Sequence, residues 1–512
     1  MKPFLQAMMA AAFVFLGNIA TAGDAVELKV LSFNIWYGGE QVSFEQVLKV
    51  IRAADADIVA LQEPDGNTLR IAAGAGYAYA DVRRHIISRF PLFDSGLGEI
   101  TEPGVQPYSV TGLDSNALHV WAMVSPGRVV AVGNTHLTSS PSGPDVLRAT
   151  GSVEAALRTE REKRVPEAQR LAAGFGRLAR AGVPLFLAGD FNSPSHLDWT
   201  AATAGSRPGV SQPVAWPVTQ TMMQAGLTDS FRSVHPDPVR DPGITYTPGY
   251  PHPMVKADEI VDRIDYIWTA NASVLKSEIV GEAGNPAVSL GFSPWPSDHR
   301  ALLSTFRVVP MTAPALIAVE PRPVVQGQTL ILRASMPGRA DWSGVIVPRG
   351  GDPGRDAIAG IDRIGFWERP SIKLSSRELA PGRYDAVLLD TARQELARTR
   401  FSVVARDAVP LVAVVKPSYA PGEPIGVRWQ AAPGSRFDWL GVYRRGDPNV
   451  YGYLGFVTTG ARHEGEVSIE PSMLTEALTP GDYEVRLLHD DSYVVLAGVP
   501  FTIRAPDVVR KQ

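Results

Sequence analysis

Two polar motifs, far apart in the chain, constrain its fold more than any other feature. Gly189-Asp190-Phe191-Asn192 follows an apolar run that begins at Val183, and Pro296-Ser297-Asp298-His299 lies downstream. The apolar run predicts a buried strand, and two polar residues spaced two apart at its end lie on one side of the pleat. Because carboxylates and amides are costly to bury without partners, this pattern predicts a bound ion or an ionic substrate.

Four further segments repeat this design, in which an apolar, strand-like stretch carries or runs into a polar residue. Their polar residues are Asn34, Glu63, His136 and Asp265. Each of them alone is typical of a turn or a cap. Six such segments within one region instead predict that the polar side chains serve one site.

In order, the motifs are Ser-Phe-Asn34, Leu-Gln-Glu63, Asn-Thr-His136-Leu, Gly-Asp190-Phe-Asn192, Arg-Ile-Asp265-Tyr and Ser-Asp298-His299. This order resembles the endonuclease/exonuclease/phosphatase superfamily, whose members include deoxyribonucleases, abasic-site endonucleases, neutral sphingomyelinases and inositol-polyphosphate phosphatases. The resemblance covers roughly residues 26 to 308. It implies a four-layer α/β sandwich, with two mixed β-sheets packed face to face and helices outside.

A metal-dependent hydrolysis of phosphoesters is the chemistry that the resemblance implies. It assigns Asn34, Glu63 and Asp298 to the metal. Carboxylate and amide oxygens are hard donors suited to Mg²⁺, or to Ca²⁺ or Mn²⁺. The chain contains no cysteine, which excludes a zinc site built on thiolates.

The same resemblance assigns the catalytic residues. Asp190 and Asn192 are expected beside the scissile phosphate and the attacking water, and His136 is expected to donate to the phosphate. Asp265 is expected to orient His299 and to support its positive charge, as a carboxylate bonded to one imidazole nitrogen does. Sequence leaves open whether His299 or Asp190 acts as the base.

The substrate-binding prediction comprises His136, Asn192 and Trp295. Trp295 lies in a turn-rich segment beside Asp298, where an aromatic ring at the cleft rim would favour a lipid substrate. Family members usually have one more phosphate contact between Glu63 and His136, for which His85 and His119 are candidates.

A formal net charge of −4 lacks the basic excess of a tight nucleic-acid binder. We therefore expect a phospholipid or lipid-linked phosphodiester to be cleaved as by a phospholipase C or a sphingomyelinase, with peripheral membrane contact. A secreted nuclease that scavenges phosphate is the alternative. A catalytically silent binding or adhesion protein is a third hypothesis, against which the presence of all six polar segments argues.

The N-terminus has the features of a secretory signal peptide. Lys2 precedes an apolar stretch from Met8 to Leu16, and Ala20-Thr21-Ala22 fits a small-residue cleavage site. The apolar stretch is too short to predict a transmembrane helix. We expect residues 1–22 to be removed and the mature protein to be periplasmic or extracellular.

An internal repeat predicts two immunoglobulin-like β-sandwich modules after the hydrolase region. Asp341-Trp342-Ser343-Gly344-Val345 recurs as Asp438-Trp439-Leu440-Gly441-Val442, and Pro381-Gly382-Arg383-Tyr384 recurs as Pro480-Gly481-Asp482-Tyr483. The shift of roughly a hundred residues is the size of such a module. The predicted domains are 23–309 for the phosphoesterase, 310–406 and 407–505 for the sandwiches, and 506–512 for a tail.

Overall fold

The computed structural model describes most of the chain after the predicted leader. The described residues are 24–82, 84–94, 118–207, 209–256, 259–320, 324–336, 342–361, 371–377, 379–434, 438–460, 462–489 and 493–504. The predicted signal peptide and the predicted C-terminal tail lie outside them. Among the described residues, no helix combines the length and the apolar character needed to cross a membrane.

The hydrolase region alternates strands and helices. Its helices are α1 (Phe44–Ala54), α2 (Thr68–Ala75), α3 (Gly143–Thr150), α4 (Val153–Arg180), α5 (Pro217–Gln224) and α6 (Ser230–Val234). Its strands are β1 (Val26–Asn34), β2 (Ile58–Gln62), β3 (Tyr79–Asp81), β4 (Ile86–Ser88), β5 (Leu92–Asp94), β6 (His119–Ser125), β7 (Arg128–His136), β8 (Leu185–Asp190), β9 (Thr228–Asp229), β10 (Asp265–Ala270), β11 (Ala272–Glu282), β12 (Leu290–Phe292), β13 (Ala301–Val308) and β14 (Met311–Thr312).

These strands form two mixed sheets that pack face to face. One has the order β12-β11-β13-β1-β2-β4-β3, and the other has the order β5-β6-β7-β8-β10-β9 with β14 beside β7. Val30 of the first sheet and Phe186 and Ile267 of the second belong to one buried cluster between the sheets. Helix α1 packs on the outside of the first sheet, and α4 packs on the outside of the second. The predicted four-layer α/β sandwich is confirmed.

Strand register brings the polar strand ends to one edge. Asn34 of β1 pairs with Gln62 of β2, directly before Glu63, in a parallel register. Asp190 of β8 pairs with His136 in parallel and with Asp265 in antiparallel register. Gln62 Nε2 also donates to Asn134 Oδ1 at 2.7 Å, a polar link between the two sheets. Four of the predicted site residues, Asn34, His136, Asp190 and Asp265, are thus fixed by backbone pairing at the ends of buried strands.

After the hydrolase region, the described residues form a pair of β-sandwiches with the same topology. The first consists of β15 (Leu316–Glu320), β16 (Val324–Val325), β17 (Thr329–Ser335), β18 (Trp342–Pro348), β19 (Ala359–Ile361), β20 (Ser371–Ser375), β21 (Gly382–Asp390) and β22 (Glu395–Val404). The second consists of β23 (Leu411–Val414), β24 (Ser418–Tyr419), β25 (Ile425–Gln430), β26 (Trp439–Arg444), β27 (Gly455–Thr458), β28 (Gly465–Ile469), β29 (Gly481–Leu488) and β30 (Val495–Ile503).

Each sandwich packs a three-stranded sheet on a five-stranded one. The orders are β15-β17-β20 with β16-β22-β21-β18-β19, and β23-β25-β28 with β24-β30-β29-β26-β27. The repeated tyrosine has the same role in both, since Tyr384 Oη donates to Ala380 O at 2.7 Å and Tyr483 Oη to Thr479 O at 2.9 Å. The sequence repeat therefore corresponds to a repeated structure.

Strand β15 joins the first sandwich to the hydrolase region. Its side chains alternate, so that Leu316 and Ala318 belong to the core of the second hydrolase sheet, whereas Ile317 and Val319 belong to the core of the sandwich. Just before it, β14 adds to β7 of the hydrolase. The predicted boundary at 309/310 falls between β13 and β14. Just after it, β14 pairs with the hydrolase, and β15 packs against both the hydrolase and the first sandwich.

We predict that Leu316→Ser destabilises the hydrolase region even though it lies beyond the predicted boundary. Leu316 is buried there, and removing such a side chain costs about 2–5 kcal/mol. Calorimetry of the full chain should show an earlier unfolding transition, and a fragment ending at Val309 should melt below the intact protein. Leu411→Ser, at an exposed leucine of the second sandwich, is the control. A Leu316→Ser melting curve that matches the wild-type curve would show that β15 adds nothing to the hydrolase core.

Candidate functional site

Asp190 lies at the centre of the site, at the C-terminal end of β8. Its Oδ2 atom lies 3.1 Å from Asn34 Nδ2, 3.5 Å from His136 Nε2 and 3.7 Å from His299 Nε2. Its Oδ1 atom accepts the backbone N–H of Asn192 at 2.8 Å. Burial, followed by the charge of Asp265, raises the pKa of Asp190. A buried carboxylate surrounded by donors, with a pKa moved toward neutrality, is suited to accept a proton.

His299 is held by Asp265, as predicted. Asp265 Oδ2 lies 2.9 Å from His299 Nδ1, which leaves the opposite ring nitrogen facing Asp190. Burial acts to lower the pKa of His299, but the charges of Asp265 and Asp190 outweigh it and raise that pKa well above its ordinary value. This shift in pKa favours the imidazolium form of His299, whose Nε2 faces Asp190.

Asn34, the predicted metal ligand, is held by hydrogen bonds at both ends of its side-chain amide. Its Oδ1 atom accepts the backbone N–H of Trp36 at 3.1 Å, and its Nδ2 atom donates to Glu63 Oε1 at 3.2 Å and to Asp190. An N–H group requires an acceptor, so the Trp36 contact fixes the orientation of the amide. Asn34 thus holds two carboxylates together through its NH₂ group, and its oxygen is turned away from them.

Glu63 and Asp298 form the acidic side of the site. Glu63 Oε2 accepts the backbone N–H of Tyr37 at 3.0 Å, and the Glu63 backbone has a φ of 56°, in the left-handed region. Burial, together with the charges of Glu63 and Asp190, raises the pKa of Asp298 to about 6. The negative charge of Glu63 therefore acts on the Asp298 carboxylate.

This donor set fits a divalent cation. Glu63 and Asp298 supply hard oxygen ligands, and an added positive charge would offset both the burial and the neighbouring negative charges that raise the pKa of Asp298. Asp190, Asp265 and His299 also place ligand atoms within 4.8 Å of one another. However, Nδ1 of His299 is bonded to Asp265, so we assign that trio to proton transfer and the Glu63 side to the metal.

Asn192 and His136 complete the predicted set. Asn192 has a φ of 48°, a left-handed conformation that asparagine tolerates well, and its Nδ2 atom donates to Leu137 O at 2.9 Å. His136 is partly exposed and contacts Asp190 through Nε2. All the predicted catalytic residues thus lie around Asp190. Among them, Asp265 contacts His299 on the ring nitrogen that faces away from Asp190.

Trp295 was expected at the cleft rim, and this prediction is wrong. Its side chain is 1% exposed and packs with Phe33, at 5.5 Å between ring centroids, in the core beneath the first sheet. Its indole N–H donates to His299 O at 2.7 Å. Flanking prolines keep the segment out of a regular strand, but the large ring gains more from burial than from exposure. Trp295 supports the backbone of His299 and does not meet substrate.

The two histidines proposed as extra phosphate contacts are packed in the interior. The ring of His85 pairs with Thr68 Oγ1 at 2.8 Å. The ring of His119 packs edge-on against Trp121, at 4.7 Å between centroids. Much of the segment between Glu63 and His136, residues 95–117, lies outside the described residues.

Three supporting residues were missed by sequence reasoning. Ser297 Oγ donates to Asn34 O at 2.7 Å and accepts the His299 N–H at 3.0 Å, which ties the two ends of the site together. Thr245 Oγ1 accepts the N–H of Asp265 at 3.1 Å, and the ring of Tyr246 packs against His299 at 4.8 Å between centroids. Ser297 belongs to the predicted motif Ser-Asp298-His299, so its position in the sequence could have identified it. Thr245 and Tyr246 are brought in by a loop that has no such signal.

Comparisons with known proteins identify the family of the chain. An uncharacterized protein of Caenorhabditis elegans is 27% identical over 305 residues, which cover 55% of this chain and 92% of that protein. An endonuclease/exonuclease/phosphatase from Beutenbergia cavernae is 18% identical, with a TM-score of 0.34, 73% of this chain and 99% of that chain covered. An AP endonuclease from Archaeoglobus fulgidus is 16% identical, with a TM-score of 0.34 and coverage of 54% and 98%. The model of the Endonuclease/Exonuclease/phosphatase family matches residues 31–299, more than half of the sequence, and the chain belongs to that family of phosphoric ester hydrolases.

Proposed function

We propose that this protein is an exported, divalent-metal-dependent phosphodiesterase that acts on a phospholipid or a lipid-linked phosphodiester. The observation that carries the hydrolase assignment is the Asp190 carboxylate, which is buried and contacts Asn34, His136 and His299. Phosphoester hydrolysis requires a proton acceptor for water and positive charge around the phosphoryl oxygens. The carboxylate that can accept the proton and the side chains that can supply positive charge belong to this one cluster around Asp190.

Glu63 and Asp298 would hold the metal ion, most simply Mg²⁺. Such an ion, when bound, neutralises phosphoryl charge and assists the departure of the leaving oxygen. Asn34 acts on this side through its NH₂ group, which keeps Glu63 and Asp190 at a fixed separation.

Asp190 is the proposed base, because its raised pKa and its buried position favour taking a proton from water. His299, held as the imidazolium by Asp265, donates through Nε2–H to a phosphoryl oxygen. His136 reaches the same space from β7 and supplies a second donor. Of the two candidates for the base, His299 and Asp190, these observations favour Asp190.

Lipid is the proposed substrate class for reasons of charge and location. The net charge of −4 provides little attraction for a polyanion, and the N-terminal pattern of a signal peptide favours an extracytoplasmic substrate. Trp295 does not support a lipid substrate, because its side chain is buried.

The decisive experiment is an activity screen of the full mature chain on phosphatidylcholine, sphingomyelin, phosphatidylinositol, DNA and RNA, with Mg²⁺ or with chelator. We expect Mg²⁺-dependent release of a phosphorylated head group.

Glu63→Ala should lose orders of magnitude in rate, because it removes a ligand and weakens charge neutralisation together. Glu45→Ala, at an exposed glutamate of α1, is the matched control. Full turnover in chelator would refute the metal assignment, and salt-sensitive cleavage of DNA without lipid hydrolysis would replace the lipid proposal with a nuclease.

Asp265 and His299 should behave as one unit. His299→Gln should cost about 10²–10⁴-fold in kcat, and Asp265→Asn should lower kcat while keeping the fold, because it lowers the pKa of His299 and removes its orientation. The double variant should be little worse than His299→Gln alone. Asp229→Asn, at a buried carboxylate that contacts Arg263 at 2.8 Å, is expected to reduce stability and leave kcat of the folded enzyme unchanged. Fully multiplicative losses would contradict the pairing.

A further inference from the structure

An aromatic contact joins the catalytic site to the second β-sandwich. Tyr37, whose backbone N–H holds Glu63, lies 5.3 Å between ring centroids from Tyr451. Tyr451 follows β26 in the second sandwich and packs on Tyr493 at 4.4 Å. Burial raises the pKa of Tyr451, and the charges of Asp65 and Glu63 add to that rise, which places its hydroxyl in the field of the acidic cluster. A module distant in sequence therefore reaches the mouth of the site.

The apolar surface continues on the hydrolase side. Trp36, whose backbone N–H fixes Asn34, lies 6.2 Å between ring centroids from Tyr250. The turn after Tyr250 exposes Met254, 65% accessible, and beside it Val255. The ammonium group of Lys256 lies 4.6 Å from the centroid of the Tyr250 ring.

Two sets of ring contacts, Trp36 with Tyr250 and Tyr37 with Tyr451 and Tyr493, are joined at the chain neighbours Trp36 and Tyr37 beside Glu63, and with the exposed side chains next to them they define what we call the apolar band. Its two ends are exposed aliphatic groups, and its middle consists of aromatic rings in contact. On the hydrolase its members are Met254, Tyr250, Trp36 and Tyr37, and on the second sandwich they are Tyr451, Tyr493 and Val494. Tyr37 and Tyr451 are 43% and 46% accessible.

We infer that the apolar band is an interfacial binding surface that seats the enzyme on a phospholipid bilayer, and that the second sandwich supplies half of it. This inference rests on the proposed function, because the band borders Glu63 and so places the catalytic site against whatever it binds. Tyrosine and tryptophan rings partition to the head-group region, and aliphatic side chains enter the acyl boundary. A bilayer offers those partners and a phosphodiester at one surface.

A nucleic acid fits this surface less well. Aromatic rings alone would suit stacking on bases. The two ends of the band are instead methionine and valine side chains, which have no ring to stack and gain most from burial in hydrocarbon. Lys256, at one end, suits the phosphate of a lipid head group, and it is the one cation among the described residues named in this surface, whereas a nucleic-acid groove has many.

Binding to vesicles, measured in chelator, separates this inference from catalysis. The probe is sonicated phosphatidylcholine vesicles, mixed with the full chain and sedimented. Tyr451→Ser in the second sandwich and Met254→Ser in the hydrolase should each weaken vesicle affinity about tenfold, because each removes apolar area from the contact. Hydrolysis of a soluble phosphodiester should stay within about twofold of wild type. Leu411→Ser is the matched control, an exposed apolar residue of the second sandwich in its three-stranded sheet, and should bind vesicles normally.

A loss of docking between the second sandwich and the hydrolase would weaken vesicle binding in Tyr451→Ser. It would not explain weaker binding in Met254→Ser, because Met254 lies on the hydrolase. Unchanged vesicle affinity in both variants would overturn the inference, even if lipid hydrolysis proved the function. Binding of a single-stranded oligonucleotide that is lost in Tyr451→Ser, with no vesicle binding by the wild type, would also overturn it and identify a stacking platform. Vesicle binding through the band without hydrolysis of any lipid would support the inference and refute the proposed substrate.

Discussion

The site depends on one buried carboxylate, that of Asp190. Taking a carboxylate out of water is costly unless donors surround it, and Asp190 has Asn34, His136, His299 and the Asn192 backbone around it. These donors come from both sheets. The arrangement therefore requires the two sheets to end at one edge, with the Gln62–Asn134 link between them. The face-to-face sandwich is what makes the site possible.

Much of this site could be predicted from sequence because its residues lie at the ends of strands. An apolar run that stops at a polar residue indicates both the strand and the position of the side chain, and this held for Asn34, Glu63, His136 and Asp190, whereas Asp265 is the first residue of its strand. The roles were less predictable than the positions. Asn34 turns its NH₂ group toward the carboxylates because the Trp36 N–H occupies its oxygen, a contact that no spacing reveals.

Residues outside strands were the least predictable. Trp295 lies between prolines, which indicates an irregular segment but leaves open which way the ring points. Tyr246 and Thr245 reach His299 and Asp265 from a loop, where neither apolar period nor strand register fixes a side chain. The contact of Tyr37 with Tyr451 depends on how the second sandwich packs against the hydrolase. The sequence repeat gives no information about that packing.

Asp190→Asn tests the central claim most directly, because it removes the charge at the centre of the site and preserves the shape of the side chain. Steady-state turnover of the full chain on its lipid substrate with Mg²⁺ is the measurement, with circular dichroism to confirm the fold. The account predicts a loss of about 10³-fold or more in kcat, since the variant lacks the proposed base and the charge that supports His299. A folded Asp190→Asn enzyme that keeps its rate within about tenfold of wild type would contradict it.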